Sequence, residues 1–239
     1  MSRIFGEVAE LYDDVRPGYP VEVLDAAVRF HGGNPRAAAD LGAGTGKATE
    51  LLVRLGVPVT CVEPDPRMAA VLATKFPQVE VVNSTFEEWT PPAGGLDLMI
   101  CALAWHWLDP ATRNARTRDV LYPGGVLAVF AHKYGYADPA VEKAIGDVMT
   151  SVDPTVGERA EHWLLEDVEG SGVWSEVDEQ IWHTYWDFSK ERYLQLVQTF
   201  SPFRRHSLAD RQAVLAGLAE VLDDTLTLDL TTTLVLARA

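Results

Sequence analysis

The chain has 239 residues and a formal net charge of −15, with 35 acidic and 20 basic residues. That length suits one compact α/β domain, and the charge repels a polyphosphate, so nucleic acid is excluded as the expected partner. No apolar stretch reaches the ~20 residues of a membrane span, and Arg3, Glu7 and Glu10 stand where a signal peptide needs its apolar core, so a soluble, cytoplasmic chain with no membrane partner is expected.

Pro20 to Phe30 places proline in a first helical turn and apolar residues at Val21, Leu24, Ala27 and Val28, which predicts a covering helix behind an ordered N-terminal arm. Short β-branched runs then alternate with helical patterns, the signature of βαβ units and a largely parallel sheet. Strands are predicted at 37–42, 57–63, 79–83, 96–103 and 125–132, with helices at 47–55, 66–76 and 110–121. The strand at 96–103 is nearly all apolar, as one covered on both faces should be. Beyond His132 the alternation lapses. Val141, Ile145, Val148, Met149 and Val152 repeat at helical spacing, and an irregular stretch to Ser175 completes a lid at 133–175. Residues 177–188 read as a sixth strand, 190–200 and 208–222 as helices, and 226–238 as a last strand, with Ser207 and Asp210 as a capping box. One domain is expected, divided into an arm and covering helix (1–34), a cofactor-binding core (35–132), the lid, and C-terminal elements (176–239). Cys61 and Cys101 fall on strands separated by another and are expected as free, buried thiols. Phe203-Arg204-Arg205-His206 reads as a solvated loop, and Asp13-Asp14 and Asp223-Asp224 as solvated pairs.

Asp40-Leu41-Gly42-Ala43-Gly44-Thr45-Gly46 lies between the first strand and its helix, where tight turning and close ligand approach call for residues without a Cβ. A nucleoside cofactor is implied. The P-loop pattern fails, because Leu41 stands where its first glycine belongs and Ala48 follows Lys47. The dinucleotide fingerprint fits imperfectly, since its last glycine would fall at Lys47. Glu63 ends the second strand in Cys61-Val62-Glu63-Pro64-Asp65, where a carboxylate can accept hydrogen bonds from both ribose hydroxyls.

The acid-apolar-G-x-G-x-G run resembles the first motif of class I S-adenosylmethionine-dependent methyltransferases, and Tyr12-Asp13-Asp14-Val15-Arg16-Pro17-Gly18-Tyr19-Pro20 resembles the N-terminal arm of the trans-aconitate methyltransferase group. The resemblance implies a Rossmann-like α/β fold with a seven-stranded sheet in the order 3-2-1-4-5-7-6, the last strand antiparallel and helices on both faces. It implies S-adenosylmethionine as cofactor and S-adenosylhomocysteine as product. Gly42, Ala43, Gly44 and Gly46 would wrap its methionine part, Glu63 beside Pro64 its ribose, and Met68 its adenine, with Ala102 at the same sheet edge. Thr85 stands where the family commonly has an adenine-binding Asp, so backbone or Phe86 would share that contact. Tyr12 would touch the methionine moiety and Arg16 its carboxylate or an acidic substrate; the alternative is a structural bridge from Arg16 to Asp13 or Asp14.

Methyl transfer from a sulfonium is an in-line displacement that needs alignment more than catalytic groups. A hydroxyl acceptor must also lose a proton, and His106 in Ala104-Trp105-His106-Trp107 is the candidate base; its alternative is a packed residue shaping the pocket. His132 is second choice. Tyr19, Trp105, His132 and Trp163 are the candidate substrate contacts. No spacing suggests a metal site. A small-molecule acceptor, with O-methylation slightly favoured, is the resulting expectation, against a cofactor-binding protein that transfers no methyl and a nicotinamide oxidoreductase. Oligomeric state is not encoded in any of these patterns.

Overall fold

A computed structural model describes residues 4–153 and 162–239. The chain enters through a 3-10 turn at Gly6–Val8 and helix α1 (Ala9–Val15), then α2 (Val21–His31), which begins after Pro20 and stops where Gly32 takes the left-handed φ of 81° that glycine adopts without a Cβ penalty. The alternating core follows as β1 (Ala38–Leu41), α3 (Thr49–Val53), β2 (Val59–Val62), α4 (Pro66–Lys75), β3 (Glu80–Val82), β4 (Leu96–Ala102), a 3-10 turn at Trp105–Trp107, α5 (Arg113–Val120) and β5 (Leu121–Tyr136). Helices α6 (Pro139–Val152) and α7 (Trp163–Gly170) precede β6 (Glu176–Ser189), α8 (Lys190–Val197), α9 (Ser201–Arg205), α10 (Leu208–Val221) and β7 (Thr225–Arg238).

The strands form one sheet in the order β3-β2-β1-β4-β5-β7-β6, the order the resemblance implies. The pairs from β3 to β5 are parallel, and β7 runs antiparallel between β5 and β6. Strands with both faces covered need apolar residues on both, and β1 and nearly all of β4 are buried throughout. One face packs Leu98, Ile100, Ala128 and Phe130 against α2 and α3; the other packs Met99, Leu127 and Val129 against α5 and α7. A third cluster gathers α1, α6, α8 and α10 over Leu226, Leu228 and Leu230 of β7. Cys61 and Cys101 are free and buried on the two strands flanking β1, as expected.

Several local expectations are corrected. The fifth strand runs on to Tyr136, because β7 offers paired residues as far as Leu228. Of the irregular stretch expected before Ser175, residues 154–161 lie outside the described residues, and α7 occupies much of the rest; Leu164 and Val168, four apart, bury its inner side in the second cluster. The predicted 190–200 helix stops at Val197, and a separate helix, α9, begins at Ser201 with Pro202 in its first turn. Phe203 to Arg205 is therefore helical, with Phe203 buried and Arg204 paired to Glu7. Asp13 is not a solvated partner of Asp14: it meets Lys75 at 2.5 Å, while Asp14 pairs with Arg192.

Candidate active site

A cavity of about 510 Å³ opens at the carboxyl ends of β1, β2 and β4, the edge where open α/β sheets receive ligands. Its floor is the glycine turn. Gly42 and Gly44 hold φ of 65° and 58°, and a Cβ on Gly42 would stand 2.5 Å from that of Ala104, so the backbone itself faces the cavity. Gly46 turns the chain away beneath Phe76 and Leu72, and Ala43 is buried, with its N–H on the Val62 carbonyl.

Glu63 lies in the wall just past β2. Its Oε2 accepts from the Gly44 N–H and its Oε1 from the Asp65 N–H, each at 2.8 Å, so a single carboxylate fixes both the glycine turn and the start of α4. Burial raises its pKa, against the pull of those two N–H groups. Each oxygen keeps a further lone pair for a hydroxyl donor. Asp65 and Met68 continue the wall, whereas Pro64 does not line it.

The roof comes from distant elements. Arg16 projects from the end of α1 and donates from Nε to Thr199 Oγ1 at 2.8 Å, from Nη2 to the Thr199 carbonyl at 3.0 Å, and from Nη1 to the Tyr134 hydroxyl at 3.3 Å. Its guanidinium carbon lies 4.9 Å from the ring centre of Tyr12 and 4.6 Å from that of Phe200. Two of its five N–H groups are not spent in these bonds. The bridge to Asp13 or Asp14 weighed as its alternative role is not formed. Tyr134, Phe200, Met149 and Phe203 were not among the candidate residues, and only the continued alternation through Lys133-Tyr134-Gly135-Tyr136 could have pointed to the first of them.

A second cavity of about 600 Å³ adjoins the first, and Leu103, His106, His132 and Tyr134 line both. Leu103, directly after β4, holds φ of 53° and donates its N–H to the Phe130 carbonyl at 2.9 Å. The left-handed conformation costs an L-residue about 1–2 kcal/mol, and such strain collects where function fixes the backbone. His106 follows on the 3-10 turn, tilted against Trp107 at 4.7 Å between ring centres and edge-on to Trp163 at 6.3 Å. Trp163 lines only the second cavity.

The remaining candidates fall elsewhere. Trp105 is buried in the core, with its Nε1 on Asp167 at 2.7 Å and its carbonyl receiving Arg113 Nη1 at 2.9 Å; it reaches only the second cavity. His132 is bonded through both ring nitrogens, to the Gly18 carbonyl and to Thr232 Oγ1, each at 2.9 Å. A carbonyl only accepts, so Nε2 carries the proton and Nδ1 accepts from the threonine; burial lowers the pKa to about 4. This arrangement leaves His132 no lone pair for a substrate proton. Tyr19 stacks on His132 at 4.3 Å and lines neither cavity. Thr85 instead caps the turn to Glu88, and Phe86 is buried beneath Arg116, so neither faces the first cavity. Asp40, below the glycine turn, is fully buried and accepts from Thr49 Oγ1 at 2.7 Å; burial raises its pKa to about 7. Among the described residues no cluster could hold a metal ion.

The fold has parallels among known proteins. Residues 39–129 match the family described as methyltransferase domain. This stretch carries a methyltransferase domain. Uncharacterized methyltransferases of Mycobacterium bovis and Mycobacterium tuberculosis are 40% identical to this chain over 129 residues, 54% of its length and 52% of theirs. The chain thus spans about half the length of these curated relatives. Trans-aconitate 2-methyltransferase of Rhodopseudomonas palustris is 33% identical over 99 residues, 40% of this chain and 38% of that one. A solved structure from Anaeromyxobacter dehalogenans, assigned as a type II methyltransferase, superposes with a TM-score of 0.71 at 20% identity over 93% of this chain and 97% of its own. The phosphoethanolamine N-methyltransferase 2 of Haemonchus contortus, solved with S-adenosylhomocysteine, gives 0.57 at 16% identity over 98% and 57%.

Proposed function

We propose that this methyltransferase binds S-adenosylmethionine in the first cavity and transfers its methyl group to a small organic acceptor, with a hydroxyl favoured as the accepting group. The observation that carries the cofactor assignment is Glu63: a buried carboxylate at the end of β2, oriented by two backbone N–H groups and facing the cavity floored by Gly42 and Gly44. Its unused lone pairs suit a ribose diol, Met68 offers an apolar surface for a base, and the uncommitted N–H groups of Arg16 suit a carboxylate. Tyr12 and Ala102 narrow the space between them.

Bound S-adenosylmethionine supplies an electrophilic methyl group on a sulfonium. What the protein adds is alignment and exclusion of water, through a roof of Tyr12, Phe200 and Phe203 and a floor of backbone. His106, which lines both cavities, is the residue we assign to take the proton of a hydroxyl acceptor. The acidic balance of the chain supports a small molecule over a nucleic acid as acceptor.

Calorimetric titration with S-adenosylmethionine, S-adenosylhomocysteine and NADH, side by side, tests the assignment. Binding of the first two alone is the expected result. Binding of NADH with failure of both others would overturn it.

A further inference from the structure

The second cavity rests on the far end of the sheet, with Glu142 of α6 and Trp163 of α7 in its lining. Beyond the core, β5, β7 and β6 continue side by side, and their register sets Lys133 opposite Thr231 and Thr231 opposite His183. Side chains alternate across a strand, so the neighbouring rows on the same face are Ala131, Thr233 and Ile181 on one side and Gly135, Asp229 and Tyr185 on the other. All but Tyr185 line the second cavity. With strands about 4.8 Å apart, the three-strand floor is about 10 Å wide, enough for a ring and its substituents.

The chemistry of this floor changes along its length. Where it meets the first cavity, Leu103, His106 and Trp163 make an apolar and aromatic end. Away from it stand two threonine hydroxyls, Lys133, and an imidazole–carboxylate pair in which His183 Nδ1 lies 3.0 Å from Asp229 Oδ1. Among the described residues, the lining carries two carboxylates, Glu142 and Asp229, and one ammonium, Lys133. Such a balance, on a chain of net charge −15, repels a multiply charged acid, while hydroxyls and a row of donors and acceptors reward a neutral molecule rich in both.

We propose that the second cavity is the acceptor site of this methyltransferase, and that it takes an uncharged, hydroxyl-rich acceptor whose apolar or aromatic reacting end points toward His106. This rests on the assignment of the first cavity to the cofactor. It differs from what the trans-aconitate relatives' name would suggest, because a polycarboxylate would place its charges beside Glu142 and Asp229.

Three probes share one phenol and differ only in the tail: 4-hydroxyphenyl β-D-glucoside is neutral and hydroxylated, 4-hydroxybenzoate is anionic, and tyramine is cationic. Their binding to the S-adenosylhomocysteine-saturated protein is measured by calorimetry and by saturation-transfer NMR. The glucoside is expected to bind at least tenfold more tightly than either other probe. The double variant Thr231→Val, Thr233→Val, which keeps β-branched side chains in the strand, is expected to lose at least tenfold for the glucoside while its affinity for S-adenosylhomocysteine stays within twofold. Preference for the benzoate or for tyramine, no binding of any probe to the saturated protein, or glucoside binding unmoved by the double variant would each overturn the proposal. Failure of S-adenosylhomocysteine itself to bind would instead overturn the cofactor assignment on which it stands.

Discussion

Asp167 of α7 is the point where the wall behind His106 is tied together, and its removal is a demanding test of that account. Its carboxylate accepts from Trp105 Nε1, from Nε and Nη2 of Arg113, and from Asn114 Nδ2, while Arg113 Nη1 returns to the Trp105 carbonyl. The side chains of Arg113 and Asp167 are only 8% and 21% exposed, so Asp167→Ala strands a guanidinium and an indole N–H away from water. Losing one partner of a buried pair costs about 3–5 kcal/mol. For a chain of this size that is a fall in Tm of roughly 6–20 °C. Burial pushes the Asp167 pKa up, but the bonds from Arg113, Trp105 and Asn114 outweigh it and hold it below the ordinary carboxylate value. The stabilisation is therefore complete above about pH 4 and is lost as pH falls through the lower, folded-state pKa. Urea unfolding of wild type and variant at pH 7 and in the acid limb gives the difference directly. A deficit below about 1 kcal/mol at pH 7, or one that does not shrink in acid, would refute the reasoning. Asp167→Asn, which keeps an acceptor for Trp105, should fall between the two.

Glu63→Ala should weaken S-adenosylmethionine binding by roughly ten- to a hundredfold, the loss of charge-assisted hydrogen bonds, as read by calorimetry. His106→Gln should leave cofactor binding unchanged and lower turnover about 10²- to 10⁴-fold at neutral pH with a hydroxyl acceptor, the size of a lost general base; unchanged turnover would remove it from the chemistry. Gly42→Ala puts a Cβ 2.5 Å from that of Ala104 at a positive φ, so both Tm and cofactor affinity should drop, with a strain of at least about 1–2 kcal/mol. Asp40, with its pKa raised to about 7, binds a proton in the folded state that the unfolded chain has released. Its contribution is present below about pH 4 and lost as pH rises toward 7, on the order of 4 kcal/mol, and Asp40→Asn should flatten that part of the stability profile.

The strands of the core and the glycine turn were legible because their signals are local. Each βαβ unit writes its own apolar runs and turn residues into a short stretch, and the distance from Gly42 to Glu63 along the chain spans a single crossover. Nothing comparable marks Leu103, whose left-handed backbone is imposed by the Phe130 carbonyl of a neighbouring strand. Thr85 and Phe86 stand outside the lining of the first cavity for a related reason. A position after the third strand can face the cavity or turn from it: Phe86 packs with Trp89 in the second cluster beneath Arg116, and Thr85 accepts from the Glu88 N–H in the turn.

The two halves of the site therefore differ in how they are encoded. Arg16 meets Thr199 across 183 positions, His132 meets Gly18 across 114, and His183 meets Asp229 across 46. The last of these pairs cannot be named until β7 is placed antiparallel between β5 and β6, and a slip of one residue in β7 would turn Thr231 and Thr233 to the opposite face. A cofactor shared by many proteins can be held by a local motif. An acceptor particular to one must be held by whatever the long-range register brings together, so its chemistry is read from the paired strands and not from the runs of residues that make them.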